Sequence, residues 1–272
     1  MKGPIRFMSA VDYFRILQET GHSPNFCCSE EWFNKDGWTV YSDDEGYVHV
    51  MDDANVRMFP AILAPSSGRP SLTRRFPYSI GFSSFRPTPT EGEALQYWDH
   101  EFIYKPQIFS DLSGQHWRDV RKNLKWARED LGEDTWLDSP GSILGEELDK
   151  LLQGWKPSDD APVFAPETLV IYALEGKHRL ALRGAKTGRL VALLIWDENW
   201  KYINFRYCLT IGGVRGLSDT ARVAFHLYQS VRSTKLINDG GSLGRTGLFK
   251  YKTRLNPVAV NSIYGWTAKE GK

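Results

Sequence analysis

The sequence predicts a mixed α/β protein in which helices and strands alternate without forming a regular βαβ repeat. Helical spacing or helix-boundary residues occur at residues 10–19, 113–130, 145–155, from Ser218 onward, and 246–254. Extended patterns predict strands at residues 38–41, 47–51, 169–174, 179–182, 189–196, 202–211, 235–237 and 258–266. The Pro, Ser and Gly residues of 60–89 indicate loops between short extended pieces.

Local sequence chemistry marks several of these boundaries. Asp43-Asp44-Glu45-Gly46 is typical of a hairpin turn between the strands at 38–41 and 47–51. Ser218 is the expected N-cap of its helix, and Asp219 follows in the first turn, where a negative charge suits the helix dipole.

The composition is that of an ordinary soluble globular protein, with 41% hydrophobic and 25% charged residues among 272. The net charge of +1 gives no global attraction for polyanions, so any basic surface must be local. The apolar run Leu190–Trp196 is far shorter than the roughly 20 residues of a membrane span, and no apolar stretch follows Lys2 and Arg6 as in a secretory signal. Three cysteines, including the adjacent Cys27 and Cys28, make no disulfide framework. We expect a cytoplasmic protein with no membrane partner.

A glycine-rich loop follows the predicted strand at 235–237. Its Gly-Gly-Ser-Leu-Gly sequence, residues 240–244, matches the G-x-S-x-G of a serine-hydrolase elbow. No histidine and no aspartate follow Ser242, so the rest of that catalytic triad is missing. Two interpretations remain. The loop is a tight turn that needs glycine, or its free N–H groups bind an anion at a helix N-terminus.

The predicted helix at 113–130 has an apolar face formed by Trp117, Val120, Leu124, Ala127 and Leu131. Five cations keep the same spacing on another face, namely Arg118, Arg121, Lys122, Lys125 and Arg128. This face is either simply solvated or a site for phosphate groups of a nucleotide or nucleic acid. The aromatic content of 13% likewise indicates either a large aromatic core or stacking surfaces for bases. The six histidines lack paired-ligand spacing, so no metal site is expected.

Two segments match the pattern of a known family. In the first, an aromatic strand leads through Leu-x-Gly into an Arg/Lys-rich helix, with matching residues Phe102, Tyr104, Leu112, Gly114, Arg118, Arg121, Lys122 and Asn123. In the second, asparagine and a glycine-rich loop precede Leu-Gly-x-x-Gly-Leu, a lysine and a proline, with matching residues Asn238, Asp239, Leu243, Gly244, Gly247, Leu248, Lys252 and Pro257. In both segments the chain resembles the phosphatidylglycerol lysyltransferase C-terminal domain (DUF2156-like) family.

The resemblance implies a GNAT-like (acyl-CoA N-acyltransferase) fold in tandem duplication, with a degenerate copy in residues 1–110 and the transferase copy in residues 111–272. It also implies transfer of an acyl or aminoacyl group to an amine or hydroxyl acceptor. Relatives with the better-matching C-terminal segment use activated amino acids, and the acyl-CoA phosphate loop is only loosely echoed by Gly212–Gly216. An activated aminoacyl donor is therefore expected in preference to acyl-CoA, with no metal.

The expected site lies mainly in the C-terminal segment. Asp239 would orient or deprotonate the acceptor, Lys252 would stabilise the oxyanion or bind a carboxylate, and Tyr251 is a weaker candidate for protonating the leaving group. Alternatively, Asp239 caps a helix and Lys252 is a solvated surface lysine. The expected substrate-binding residues are Asn238, Gly241, Ser242, Gly244 and Arg245. Phosphate or nucleic acid is expected at Arg118, Arg121, Lys122 and Lys125.

Three functions are consistent with these features. The first is a soluble GNAT-like transferase whose partner is a small-molecule or aminoacyl donor. The second is a phage-type transferase that places an amino acid or acyl group on DNA, with DNA or tRNA as partner. The third is a non-catalytic nucleic-acid-binding module on a decayed transferase fold.

Overall fold

The computed structural model describes residues 6–21, 24, 26–35, 37–42, 46–51, 62–63, 78–80, 93–132, 136–138, 143, 145–154 and 178–268. The chain divides into two compact units, one of residues 1–103, 198–202 and 238–272 and the other of residues 104–197 and 203–237. Each unit therefore combines segments that are distant in sequence. A division near residue 110 into two related copies stays a prediction.

The elements occur in the following chain order: β1 (Arg6–Met8), α1 (Ala10–Glu19), α2 (Glu30–Lys35), β2 (Thr39–Ser42), β3 (Tyr47–Met51), β4 (Ile62–Leu63), β5 (Tyr78–Ile80), β6 (Glu93–Tyr104), α3 (Arg118–Leu131), β7 (Trp136–Asp138), α4 (Gly145–Gly154), β8 (Arg179–Arg183), β9 (Leu190–Glu198), β10 (Tyr202–Thr210), α5 (Leu217–Ser230), β11 (Leu236–Asn238), α6 (Thr246–Arg254) and β12 (Ala259–Ala268). Short 3-10 turns at Pro106–Phe109 and Gln115–Trp117 precede α3.

The first unit contains a four-stranded sheet, β1-β2-β3-β4, against which α1 and α2 pack around an aromatic core. Ser9 begins α1 as its N-cap, with Oγ accepting from Asp12 N at 3.1 Å. The ring centroid of Phe33 lies 4.9 Å from that of Phe14 and 5.0 Å from that of Trp38. These contacts favour the aromatic-core interpretation of the composition here, because the rings pack on one another.

Strand β12 pairs antiparallel with both β5 and β6 in the same unit. The register between β12 and β6 shifts by one residue, since Ile263 pairs with Asp99 and Tyr264 with Tyr97. This β-bulge lies directly before Asp99. Bulges re-aim the side chains that follow them, and Asp99 belongs to the candidate site described below.

The second unit packs α5 against a heavily buried sheet in which β7, β8, β9 and β10 are neighbours. Strands β7 and β8 pair antiparallel, as do β8 and β9. Phe205 of β10 stacks on Phe225 of α5 with ring centroids 4.1 Å apart, and Trp196 of β9 meets Phe225 at 5.4 Å. Burial of these rings supplies hydrophobic stabilisation to the α5–sheet layer.

The expected N-cap of α5 is wrong by two positions. The helix begins at Leu217 after Gly216, whose φ is +74°, so Ser218 lies inside the first turn. A Cβ on Gly216 would lie 2.0 Å from the carbonyl oxygen of Asn123 in α3. Because α3 approaches so closely, glycine at this position, rather than a serine cap, defines where the helix starts. Asp219 does lie in the first turn, as expected.

Most other predicted elements are present with boundaries close to those expected. Helices at 10–19 and 246–254 agree with the prediction, and the helix predicted from Ser113 begins as a 3-10 turn before α3. Strand β6 was not predicted at its full length, because the segment before residue 110 was expected to contain only short strands; the aromatic strand implied at Phe102 and Tyr104 forms its end. The strand predicted at 169–174 and much of the segment 60–89 lie outside the described residues.

A buried histidine lies in the core of the second unit. His226 of α5 is 1% exposed, and its ring meets those of Phe109 at 4.9 Å and Tyr104 at 5.8 Å. Burial, together with the positive charge of Arg222, lowers the pKa of His226 to about 3, although hydrogen bonding to the main chain of Lys105 and Pro106 acts in the opposite direction. His226 is therefore neutral in the folded protein at ordinary pH.

We expect acid to destabilise the protein through His226. The unfolded chain binds a proton there near pH 6.5, whereas the folded chain binds it only near pH 3. The stabilising contribution is complete above pH 6.5 and is lost as the pH falls toward 3, at up to about 1.4 kcal/mol per pH unit. Urea denaturation at about pH 7 and about pH 5 should show a smaller pH dependence for His226→Leu than for the parent. His116→Leu, at an exposed position, is the control; equal slopes for the parent and His226→Leu would contradict the buried neutral imidazole.

Candidate active site

The glycine-rich loop between β11 and α6 is a tight turn with three residues in the left-handed region. The φ angles are +61° at Gly240, +54° at Leu243 and +70° at Gly244. Asn238 closes the first part of the turn, since its Oδ1 accepts from Gly240 N at 2.9 Å. Turns of this kind direct consecutive N–H groups toward one point.

That point is occupied by the carboxylate of Asp99 from β6. Oδ1 accepts from Ser242 N at 3.1 Å, Ser242 Oγ at 3.0 Å and His100 N at 2.7 Å. Oδ2 accepts from Leu243 N at 2.8 Å. Of the two interpretations of the loop, anion binding is present, but the anion is a side chain of the protein itself. The N–H groups of Ser242 and Leu243 are therefore engaged within the protein.

Gly241 is required by the close approach of the turn to β6. A Cβ at this position would lie 2.0 Å from Asp99 Oδ2 and 2.8 Å from the carbonyl oxygen of His100. Both distances are shorter than any tolerated contact, so a side chain here would push the turn off the carboxylate.

Lys252 of α6 supports the same turn from the other side. Its ammonium donates to the carbonyl oxygens of Asp239 and, at 2.7 Å, of Gly241, and it lies 3.6 Å from Asp239 Oδ1. Both residues are buried, each with 5% exposure. The structure thus brings together Asp239 and Lys252, the two main residues predicted for catalysis, beneath the turn rather than at an open surface. Tyr251 is half-buried, with the guanidinium of Arg254 5.4 Å from its ring centroid.

Glu101 fixes a second segment over the turn. Its carboxylate is fully buried and accepts from Phe26 N. The ring of Phe26 in turn lies against Gly240, where a Cβ would come within 3.1 Å of it. Burial and the charge of Glu101 raise the pKa of Tyr202 to about 12. Asp99 and Glu101, two residues apart on β6, therefore each anchor a piece of backbone.

A cavity of about 230 Å³ opens beside the turn, and its walls are formed by Asp99, His100, Ser242, Gly244, Arg245, Thr246 and Phe249. The His100 and Phe249 rings meet edge to face at 5.1 Å. Nη2 of Arg245 is buried without a hydrogen-bond partner. The cavity thus combines a guanidinium, an imidazole, hydroxyl groups and the start of α6, where free N–H groups favour negative charge.

Three of the predicted substrate-binding residues, Ser242, Gly244 and Arg245, line this cavity, whereas Asn238 is fully buried and Gly241 faces Asp99. Sequence reasoning missed Asp99, His100, Thr246 and Phe249. The first two lie in the part of β6 that precedes the aromatic strand implied at Phe102 and Tyr104. Phe249 and Thr246 follow the glycine-rich loop directly on α6, so their proximity to it was a usable signal.

The predicted phosphate-binding cations lie on α3 in the second unit. Arg118, Arg121, Lys122, Lys125 and Arg128 are all exposed. Arg121 is partly engaged, since its Nη1 donates to the carbonyl oxygens of Leu112 at 2.5 Å and Gly114 at 2.7 Å. Lys122 Nζ lies 4.4 Å from the ring centroid of Trp126, a cation–π contact.

No group of three or more His, Cys, Asp or Glu side chains in the described part of the chain is arranged to hold a metal ion. No helix there is both long and apolar enough to span a membrane.

No protein-family model matches the sequence, and neither does any curated protein. Solved structures share its fold. L-PGS from Bacillus licheniformis is 13% identical, with a TM-score of 0.61 over 98% of this chain and 94% of that chain. The DUF2156 domain at the C-terminus of a proposed lysylphosphatidylglycerol synthetase from Agrobacterium fabrum is 11% identical, with a TM-score of 0.59 over 97% and 93%. A tandem GNAT protein from the clavulanic acid biosynthesis pathway is 11% identical, with a TM-score of 0.51 over 99% of both chains.

These similarities define the class of fold. The chain has a GNAT-like, DUF2156-like α/β fold, which confirms the fold that the two sequence segments implied. At such low identities the comparison concerns the fold alone, so the activity must be argued from the site.

We expect Lys252→Met to lower the free energy of unfolding by about 3 kcal/mol, because two buried carbonyl oxygens lose a charged donor. Lys250→Met is the matched control on the same helix, where the side chain is exposed, and should change stability by no more than about 0.5 kcal/mol. Chemical denaturation of the two variants measures both values. Equal stabilities would show that Lys252 does not hold the turn.

Proposed function

We propose that this chain is a GNAT-like transferase that moves an acyl or aminoacyl group onto an amine or hydroxyl acceptor at the cavity beside the glycine-rich turn. The observation that carries the proposal is Arg245, whose guanidinium is partly buried at the cavity with one nitrogen unpartnered. A buried donor without a partner is costly, and a carboxylate or phosphate of a substrate would satisfy it. The GNAT-like fold is consistent with such a reaction.

The residues around the cavity have the chemistry that acyl transfer needs. The acceptor nitrogen or oxygen attacks the carbonyl carbon, a new C–N or C–O bond forms, and the ester bond to the carrier breaks. In this proposal the His100 imidazole takes the proton from the acceptor and returns it to the departing carrier oxygen. Arg245 and the N–H groups at the start of α6 stabilise the negative charge on the tetrahedral intermediate.

Asp239 and Lys252 act as positioning residues in this proposal. Lys252 donates to the backbone carbonyls of residues 239 and 241, so its ammonium is directed at the turn. Together with Asp99 it fixes the loop from which Ser242, Gly244 and Arg245 extend. Tyr251 remains a weaker candidate for protonating the leaving group.

An activated aminoacyl donor is favoured over acyl-CoA. A CoA pyrophosphate would need the positive end of α5, the helix that follows the Gly212–Gly216 loop. The first turn of α5 already contains the carboxylate of Asp219, which is buried and accepts from Asn123 Nδ2. A second negative charge there would be repelled, so the sequence-based preference for an aminoacyl donor is supported.

Mass spectrometry of small molecules and DNA from cells that express the protein should reveal products heavier by one acyl or aminoacyl group. Arg245→Ala should reduce these products by about 100-fold, the loss typical of one buried charged contact. Lys250→Ala, an exposed change on the same helix, should leave them unchanged. Products that are absent from the parent, or undiminished by Arg245→Ala in a folded variant, would refute this site.

A nucleic acid as acceptor or carrier is the second candidate, favoured by the exposed cations of α3. Arg118 and Lys125 are the best probes, because Arg121 also anchors the loop before the helix. Lys125 has only a weak ion pair with Glu129, at 3.9 Å with both side chains largely exposed. In variants of Arg118 and Lys125, loss of phosphate binding can therefore be distinguished from loss of folding.

The double change Arg118→Glu and Lys125→Glu should weaken retention on DNA or RNA. It should also lower the slope of log affinity against log salt by about one unit per lost phosphate contact. The control, Lys105→Glu with Lys250→Glu, changes the net charge equally at two other exposed positions. Equal salt slopes for the two double variants would leave α3 as a solvated face.

A further inference from the structure

A second cavity, of about 410 Å³, lies in the second unit and is lined by Leu131, Glu147, Lys150, Leu151, Thr187, Arg189, Leu190, Val191 and Ile211. Among the described residues, it shares none with the cavity beside the glycine-rich turn. Its volume falls in the range of about 300–1,000 Å³ found for small-molecule sites.

The lining of this cavity is divided by polarity. Leu131, Leu151, Leu190 and Val191 are buried and form an apolar wall together with the half-buried Ile211. The polar lining residues Lys150, Thr187 and Arg189 are exposed, so they stand at the solvent side. A ligand that fits both parts has an apolar body and a polar head.

The walls are held in place by hydrogen bonds on several sides. The β8–β9 turn is fastened to the end of α3, because Lys186 N donates to Leu131 O at 3.0 Å and Lys186 Nζ to Glu129 O at 2.6 Å. Val191, whose carbonyl accepts from Ile211 N at 2.9 Å, lies where the β8–β9 register shifts. The cavity is therefore formed before any ligand binds, which reduces the entropy lost on binding.

Among the described residues that line the cavity, the one acid is already paired, which leaves their charge positive. Glu147 accepts from Arg183 through both carboxylate oxygens, at 2.6 and 3.0 Å. Within the described part of the chain, the Lys150 and Arg189 side chains have no ion pair. Arg183 is buried, and Glu147 neutralises its charge. Two uncompensated cations thus stand beside an apolar wall.

We propose that this cavity binds an amphipathic anion, with the apolar tail against Leu131, Leu151 and Val191 and the anionic head between Lys150 and Arg189. Carboxylate and phosphate heads share the required chemistry, since both accept charged hydrogen bonds from lysine and arginine. The site goes beyond the proposed transferase activity, because no residue of that reaction belongs to it.

Isothermal titration of the full chain with decanoate and with decyl phosphate, both below the concentration at which they form micelles, tests the proposal. Saturable binding to at least one of them is expected, and the comparison shows which head group is preferred. The double change Lys150→Gln and Arg189→Gln should weaken binding by about tenfold or more. Thr187→Trp, at the exposed edge of the cavity, should obstruct entry of the tail.

Matched controls show whether binding depends on these two cations and on both parts of the ligand. Lys105→Gln with Lys250→Gln removes the same charge from two other exposed positions and should leave affinity within about twofold. The uncharged 1-decanol should bind much more weakly than decanoate, and so should inorganic phosphate without a tail. Absence of binding to both amphiphiles, equal binding of 1-decanol, or full affinity in the Lys150/Arg189 variant would each overturn the proposal. None of these results depends on transferase activity, so a failure here leaves that function untouched.

Discussion

The candidate active site depends on one interaction, the binding of the Asp99 carboxylate by the glycine-rich turn. A buried carboxylate is strongly unfavourable unless donors replace its hydration, and here three N–H groups and one hydroxyl do so. The same contacts fix the backbone of Ser242 and Leu243. Because α6 begins directly after this turn, they also determine where Arg245 stands in the cavity.

Local sequence features predict the turn and the helix after it, whereas the partners of the turn depend on tertiary contacts. Gly240 and Gly244 indicate left-handed backbone, and the spacing of residues 246–254 indicates a helix. The turn and α6 could therefore be predicted from the sequence. The anion that the turn binds could not, because Asp99 lies 143 residues away along the chain. The prediction of where α5 begins was wrong for the same reason, since the approach of Asn123 to Gly216 is a tertiary contact.

The lysine and arginine side chains of this protein show that charge alone does not identify a binding site. Lys252 is directed at backbone carbonyls, Arg121 at the loop before α3, and Arg183 at Glu147; these charges stabilise the protein itself. By contrast, Arg245 has an unpartnered nitrogen, and Lys150 and Arg189 have no ion pair in the described part of the chain. The spacing of residues in the sequence does not separate cations that bind within the protein from cations that are available to a ligand. It carries no information about which acid or carbonyl group lies near each cation in the fold. Charges of the second kind are available to an anionic ligand.

Because of the bulge in β6, the number of residues in this strand determines which face Asp99 and Glu101 occupy. Side chains along a strand alternate between faces, so a shift of one residue exchanges the faces for everything that follows. The extra residue at position 98 therefore sets which face Asp99 and Glu101 share. If residue 98 were instead paired with Ile263, the register from there on would slip by one, so both carboxylates would turn away from the turn and from Phe26, and His100 would take their face. In evolution, a one-residue change in length between Asp99 and Glu101 should accordingly be rarer than loss of residue 98, which leaves Asp99 opposite Ile263.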